Sequence, residues 1–259
     1  MRSGKELIIP GIVLVVIGAL VCSISFVALG FDFKGLNSSV FVTNEYTIDE
    51  AFKNISVEGD TEDISFVKSE NDECTVEFYE DVKEPHEAVV KSGTLAIRKI
   101  KSKQLWNFGI FTETPAITVY LPGDTYGSLF VDADTSDLSV PGDFVFDSID
   151  AELDTGDVDI ASSVTGSVSI ETDTGDIALR DMTAKTFKIE TETGEVSFDK
   201  CDADDIFVET DTGDVTGNFL TDKVFTAKSD TGDVKVPDTA SGGRCEVKTD
   251  TGDIRLSVG

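Results

Sequence analysis

Histidine, cysteine and positive charge are scarce in this chain, and each scarcity closes off a class of function. His86 is the one imidazole in 259 residues. Nucleophilic catalysis of the Ser-His-Asp kind needs a histidine beside a positioned nucleophile, and none is apparent around Glu84-Pro85-His86-Glu87. His86 reads as a turn residue. The four cysteines include no CxxC pair, so no zinc-type spacing is present. Cys22 lies in an apolar N-terminal stretch, which leaves Cys74, Cys201 and Cys245, an odd number better read as small buried hydrophobes than as a disulfide framework. Lys and Arg total 21 against 50 Asp and Glu, a net charge of −29. Such a chain repels nucleic acid, whose binding rests on cations meeting phosphate. The sequence therefore assigns no catalytic, cofactor-binding or metal-ligating residue.

What is abundant is repetition. Asp-Thr-Gly-Asp begins at Asp154 and returns at Asp173, Asp211, Asp230 and Asp250, with the variant Glu192-Thr193-Gly194-Glu195. Gly156, Gly175, Gly194, Gly213 and Gly232 are each 19 residues apart, and Gly252 follows 20 later. A period of this length is the mark of a solenoid. The apolar residues keep the same beat. Seven places before the glycines stand Ile149, Val168, Phe187, Ile206, Phe225 and Cys245; five before stand Ala151, Ile170, Ile189, Val208, Ala227 and Val247. Two after stand Val158, Ile177, Val196, Val215, Val234 and Ile254; four after stand Ile160, Leu179, Phe198, Gly217, Val236 and Leu256. Spacing of two is strand alternation, so each repeat is two short strands joined by a Thr-Gly turn. A coil this thin buries its apolar face only against its neighbours. The reading is an all-β parallel β-helix with roughly 19-residue coils.

The rest of the chain divides around that repeat. Leu7 to Leu29 carries no charge and is long enough to span a bilayer, which takes about 20 residues. Arg2 and Lys5 precede it, which places the N-terminus in the cytoplasm and the body outside. The alternative is a cleaved signal peptide with Ala28 and Gly30 near the cut. Residues 1–34 thus read as a cytoplasmic tip and transmembrane helix, 35–49 as a polar linker, and 50–259 as the exported body. Within it, Ile55, Val57, Ile64 and Phe66 fall on the four columns if Glu62 takes the glycine place, and Leu129, Val131, Leu138 and Val140 do so around Ser136. Residues 129–259 are the regular repeats. Residues 68–114 break the register: Thr75–Tyr79 and Thr94–Ile100 read as two strands joined through Pro85, followed by an insertion, Lys101–Thr114, with Leu105, Trp106, Phe108, Ile110 and Phe111. That cluster reads as an apolar flap over the core, with an exposed patch for glycan or membrane as the rival.

Leu7–Leu29, followed by Ile55-Ser56-Val57-Glu58-Gly59-Asp60 and the Asp-Thr-Gly-Asp-Val ladder, resembles a bacterial family of membrane-anchored β-strand-repeat proteins classed as "putative adhesins", over roughly residues 45–259. The resemblance implies an exported parallel β-helix and no enzymatic activity. The functional expectation is a single-pass membrane protein displaying a non-enzymatic interaction module, with an envelope glycan or protein as partner. The alternatives are an envelope-stress sensor and a polysaccharide-acting β-helix enzyme. Because the chain stops just after the second strand of a coil, self-association through that terminal coil is a further expectation. The acids flanking the turn should form two columns, a solvated stripe or a collector of Ca²⁺. Asp-Thr-Gly also occurs in aspartic proteases, but those need two facing loops that share a proton, not one triplet per coil.

Overall fold

The computed structural model describes residues 39–100 and 113–259. The apolar stretch 7–29 and the Trp106 cluster of residues 105–111 lie outside the described residues. Among those described, no helix is long and apolar enough to cross a membrane.

The regular elements described are all strands. At the N-terminal end come β1 (Phe41–Ile48), β2 (Asn54–Gly59), β3 (Asp63–Lys68), β4 (Cys74–Asp81), β5 (His86–Lys91), β6 (Thr94–Lys99) and β7 (Ala116–Leu121). The middle holds β8 (Thr125–Thr135), β9 (Leu138–Val140), β10 (Val145–Thr155), β11 (Val158–Ile160), β12 (Ser163–Val164), β13 (Ser167–Thr174), β14 (Ile177–Arg180) and β15 (Thr183–Thr193). The chain continues through β16 (Val196–Thr212), β17 (Val215–Phe219), β18 (Lys223–Thr231), β19 (Val234–Lys235), β20 (Gly243–Thr251) and β21 (Ile254–Val258). The strand before each turn belongs to one sheet and the strand after it to another, so a pair of strands makes one rung of a solenoid-like stack.

Rungs stack in parallel and in the register that the columns require. Val168 pairs with Phe187 and Phe187 with Ile206; Ile170 pairs with Ile189 and Ile189 with Val208. In the other sheet Ile177 pairs with Val196 and Val196 with Val215. Side chains at these positions point inward and are buried, while Lys188 and Glu209, one step out of phase, face solvent. Each buried Ile or Val contributes about 1.5–3 kcal/mol. Cys74, Cys201 and Cys245 are free and buried, and burial pushes their thiols up to about 11, 11 and 12.

The order of the rungs departs from chain order at both ends. The Glu62 rung stacks on the Ser136 rung, Ile55 on Leu129 and Ile64 on Leu138. Its other side is covered by a later segment, with Leu95 and Ile97 against Ile55 and Val57, and Ile117 and Val119 against Ile64 and Phe66. β6, from the stretch in which the repeat pattern fails, and β7, just after it, therefore supply the two strands of a further rung. The two strands expected at 75–79 and 94–100 are β4 and β6, but a further strand, β5, lies between them: β4 runs antiparallel between β1 and β7, and β6 forms an antiparallel hairpin with β5. Residues 41–48 of the expected linker are strand β1 of the body.

At the other end the Gly252 rung stacks directly on the Gly213 rung, and the Gly232 rung lies outside it. The last coil in sequence is thus an inner rung. This corrects the expectation that the chain's final coil is the uncovered one; the open edge belongs to β18 and β19.

Towards each end of the stack a buried cationic side chain is held by an ion pair. After β17 the chain passes the Gly252 position, and the Lys223 side chain, only 1% exposed, reaches back to Asp202 and also donates to Thr221 Oγ1 at 2.6 Å. At the far end His86 is not a surface turn residue: it begins β5 with its ring 1% exposed, stacked on Phe78. Its Nδ1 lies 2.7 Å from Glu80 and its Nε2 lies 3.3 Å from Glu62. Glu62 also accepts the N–H groups of Asp60 and Thr61 at 2.8 and 3.1 Å, closing the turn where the other rungs place glycine or serine.

Burial opposes both charges, but the pairing outweighs it. Desolvation works to lower the His86 pKa, while the hydrogen bonds and charges of Glu62 and Glu80 hold it above 6.5. Desolvation likewise raises Glu62, and His86 with the Asp60 N–H brings it down to about 2. The His86 contribution is complete below 6.5 and is lost as pH rises through its raised folded value; that of Glu62 is complete above 4.5 and is lost as pH falls toward about 2. Thermal melts of His86→Gln should show a weaker fall in stability from pH 6.5 upward than the parent. Asp202→Ala strands the buried Lys223 charge and should cost roughly 3–5 kcal/mol in denaturant unfolding.

Candidate interaction surface

The turn column explains why the motif is Asp-Thr-Gly-Asp. The backbone of Gly175 has φ of +156°, and a Cβ there would lie 1.9 Å from the carbonyl oxygen of Gly156 on the rung beneath. No other residue fits. Along the stack each glycine N–H donates to the threonine carbonyl of the next rung, Gly156 to Thr174 at 2.9 Å and Gly175 to Thr193 at 3.0 Å.

The acid after the glycine carries a second ladder. Asp137 Oδ1 accepts the N–H of Asp157, Asp157 that of Asp176, and Asp176 that of Glu195, each at 2.8 Å. Asp214 accepts from Asp253 at 2.7 Å and Asp253 from Asp233 at 2.6 Å, following the spatial order of the rungs. Hydrogen bonding by the Asp233 N–H is the main cause of the lowered Asp253 pKa. Glu195 interrupts the ladder: with one more methylene its Oε1 accepts from Thr216 Oγ1 at 3.0 Å instead. The acids here are acceptors for backbone donors, a role that neither the Thr-Gly turn nor a bound cation is needed to explain.

The other acids have no such employment and make up the outer face. Asp132, Glu152, Glu171, Glu190 and Glu209 stand side by side on successive rungs. Asp154, Asp173, Glu192 and Asp211 run beside them, two residues further along each strand. Between the columns lies a shallow groove of about 290 Å³ walled by Glu171, Asp173, Glu190, Glu192, Glu209 and Asp211. Like charges on neighbouring rungs sit about 4.8 Å apart. Crowding shows at Asp134, which slight burial and then the charges of Asp60, Asp154 and Asp132 push upward. The first column ends where Lys248 and Lys228 follow Glu209, while the second continues through Asp250 and Asp230. There Phe207 lies on the surface under the Arg244 guanidinium, 4.8 Å from the ring centroid. Among the described residues no three His, Cys, Asp or Glu side chains are grouped so as to hold a metal ion.

Residues 52–259, which build these parallel rungs, match a family model. The chain belongs to the Toastrack DUF4097 family. This Toastrack body is similar in fold to a "putative adhesin" from Bacteroides fragilis NCTC 9343, at 18% identity and a TM-score of 0.58, over 85% of this chain and 98% of that one. More distant are a "putative adhesin" of Parabacteroides distasonis ATCC 8503, with 13% identity, a TM-score of 0.43 and coverage of 85% and 98%, and a "putative lipid binding protein" of the same strain, with 15% identity, a TM-score of 0.38 and coverage of 83% and 93%. Among proteins of curated function none matches the Toastrack chain.

The two acid columns should answer differently to substitution in high salt, where their mutual repulsion is screened. Glu195→Asp restores the missing rung of the ladder and should raise stability by about 1 kcal/mol, or about 2–4 °C in Tm. Asp176→Ala should lower it by a similar amount, and Asp173→Ala should leave it unchanged.

Proposed function

We propose that this Toastrack protein is a membrane-anchored, extracytoplasmic and non-enzymatic interaction module. The observation that carries the reading is the regularity of the body. From Gly156 to Gly252 the turns repeat almost without insertion, so no loop rises from the sheets to wall a cleft in which substrate could be held and water excluded. A surface of this kind binds by area and charge. Its carboxylate columns suit a partner that presents cations, whether basic protein segments or envelope polymers with bound metal ions.

The anchored arrangement rests on the uncharged run Leu7–Leu29 and the flanking Arg2 and Lys5. It implies that the body stands outside the cell, where the envelope offers such partners. The fold likeness to the Bacteroides fragilis protein supports a surface role and names no ligand.

Topology tests the proposal directly. In intact cells, and in a background lacking the native cysteines, Ser39→Cys should react with an impermeant thiol reagent and Ser3→Cys should not. Labelling of the second variant alone would put the body in the cytoplasm and overturn the surface role.

A further inference from the structure

The two ends of the stack are finished differently. At the end that holds β1, β4 and β5, antiparallel strands turn across the rungs, and Phe78, Leu95 and Ile97 beneath them are fully buried. At the other end the Gly232 rung has a neighbour on one side only. β18 pairs with β20 and β19 with β21, and among the described residues no strand takes their outer edges. In the inner rungs the N–H of the glycine and that of the residue two places on donate to the next rung; Gly232 and Val234 come last and have no next rung. The core columns are uncovered here as well: Phe225, Ala227 and Val236 are only partly buried, and Val224 and Val234 are 41% and 40% exposed.

We infer that this open end is the docking surface for a second copy of the chain, which pairs with it edge to edge about a two-fold axis. Charge is the first reason for choosing this occupant. Residues 116–220 hold 25 acids against 4 bases, a field that repels another copy, whereas residues 221–259 hold 7 acids against 6 bases. On the end rung itself Lys228 and Asp230, and Lys235 and Asp233, stand close together, so two copies meet there with balanced rather than like charge.

Strand direction is the second reason. A two-fold axis lays β18 antiparallel on its copy and β19 antiparallel on its copy, so both sheets continue at once. Head-to-tail stacking would ask the same end to meet β5, which runs against its sheet, and β1, which runs with its own. The two sheets would then have to pair in opposite senses across one joint. The geometry therefore closes at two copies instead of growing into a filament. Edge pairing also places the half-covered Phe225 and Ala227 of both copies in one continuous core. The inference is independent of where in the cell the body stands, so the thiol-labelling result does not bear on it.

The full chain in detergent, followed by sedimentation velocity with the detergent density-matched, should run as a dimer at micromolar concentration. Val224→Lys with Val234→Lys alters two exposed positions and should give monomers with an unchanged circular-dichroism spectrum. Under mild oxidation Thr226→Cys should yield a disulfide-linked dimer, and Thr43→Cys, on the β1 edge, should not. A monomeric parent, a dimer that survives the double lysine change, or cross-linking at Thr43 in place of Thr226 would each overturn the inference.

Discussion

Everything in this structure depends on a contact too short for a side chain. The carbonyl of one turn glycine faces the α-carbon of the next across a gap that a methyl group would close to 1.9 Å. That contact fixes the height of the rung and the path of the turn. Because the turn is fixed, the strands on either side enter at the same phase each time, and the apolar columns meet. The period of 19 residues is the length of chain needed to leave a glycine, cross both strands and return above it. A solenoid usually tolerates variation in its loops, but here the turn is the ruler.

What could be read from residues alone was whatever each rung states about itself. Ile189 and Val208 sit in sequence where they sit in space, and Glu62 and Ser136 could be placed as turn residues although neither is glycine. The order of the rungs was not legible, because the columns are nearly interchangeable: Cys245 satisfies the slot above Ile206 as well as Phe225 does, and only the three-dimensional path of residues 220–242 distinguishes them. The rung of β6 and β7 escaped notice because its strands, one ending at Lys99 and the other beginning at Ala116, lie further apart in sequence than those of the regular rungs. His86 was read as a turn residue since proline precedes it, yet its partners Glu62 and Glu80 come together only in the folded chain.

The acids flanking the glycine show how one residue type can serve two ends. The acid after it accepts a backbone donor and is structural; the one before it is free to set the field of the face. Aspartate is the right length for the first task, and the glutamate at 195 shows the cost of one methylene. For the second task length is immaterial, which fits the free exchange of Asp173 for Glu192 in that column. The pairs His86–Glu62 and Lys223–Asp202 have another character: each joins segments that meet only in the folded chain, a registry role that buried polar groups can play.

The interleaved C-terminal rung carries a consequence for biosynthesis. A ribosome delivers the Gly232 rung before the Gly252 rung, so the emerging stack meets a piece that fits the vacant Gly213 edge but does not belong there. A strand pairing satisfied too early has to be undone before residues 243–258 can slide between. The native order is then reached against the direction of synthesis, and a chain truncated before residue 243 has only the wrong neighbour to offer. Synthesis of residues 243–258, not the elongation that precedes it, becomes the event that commits this end of the stack.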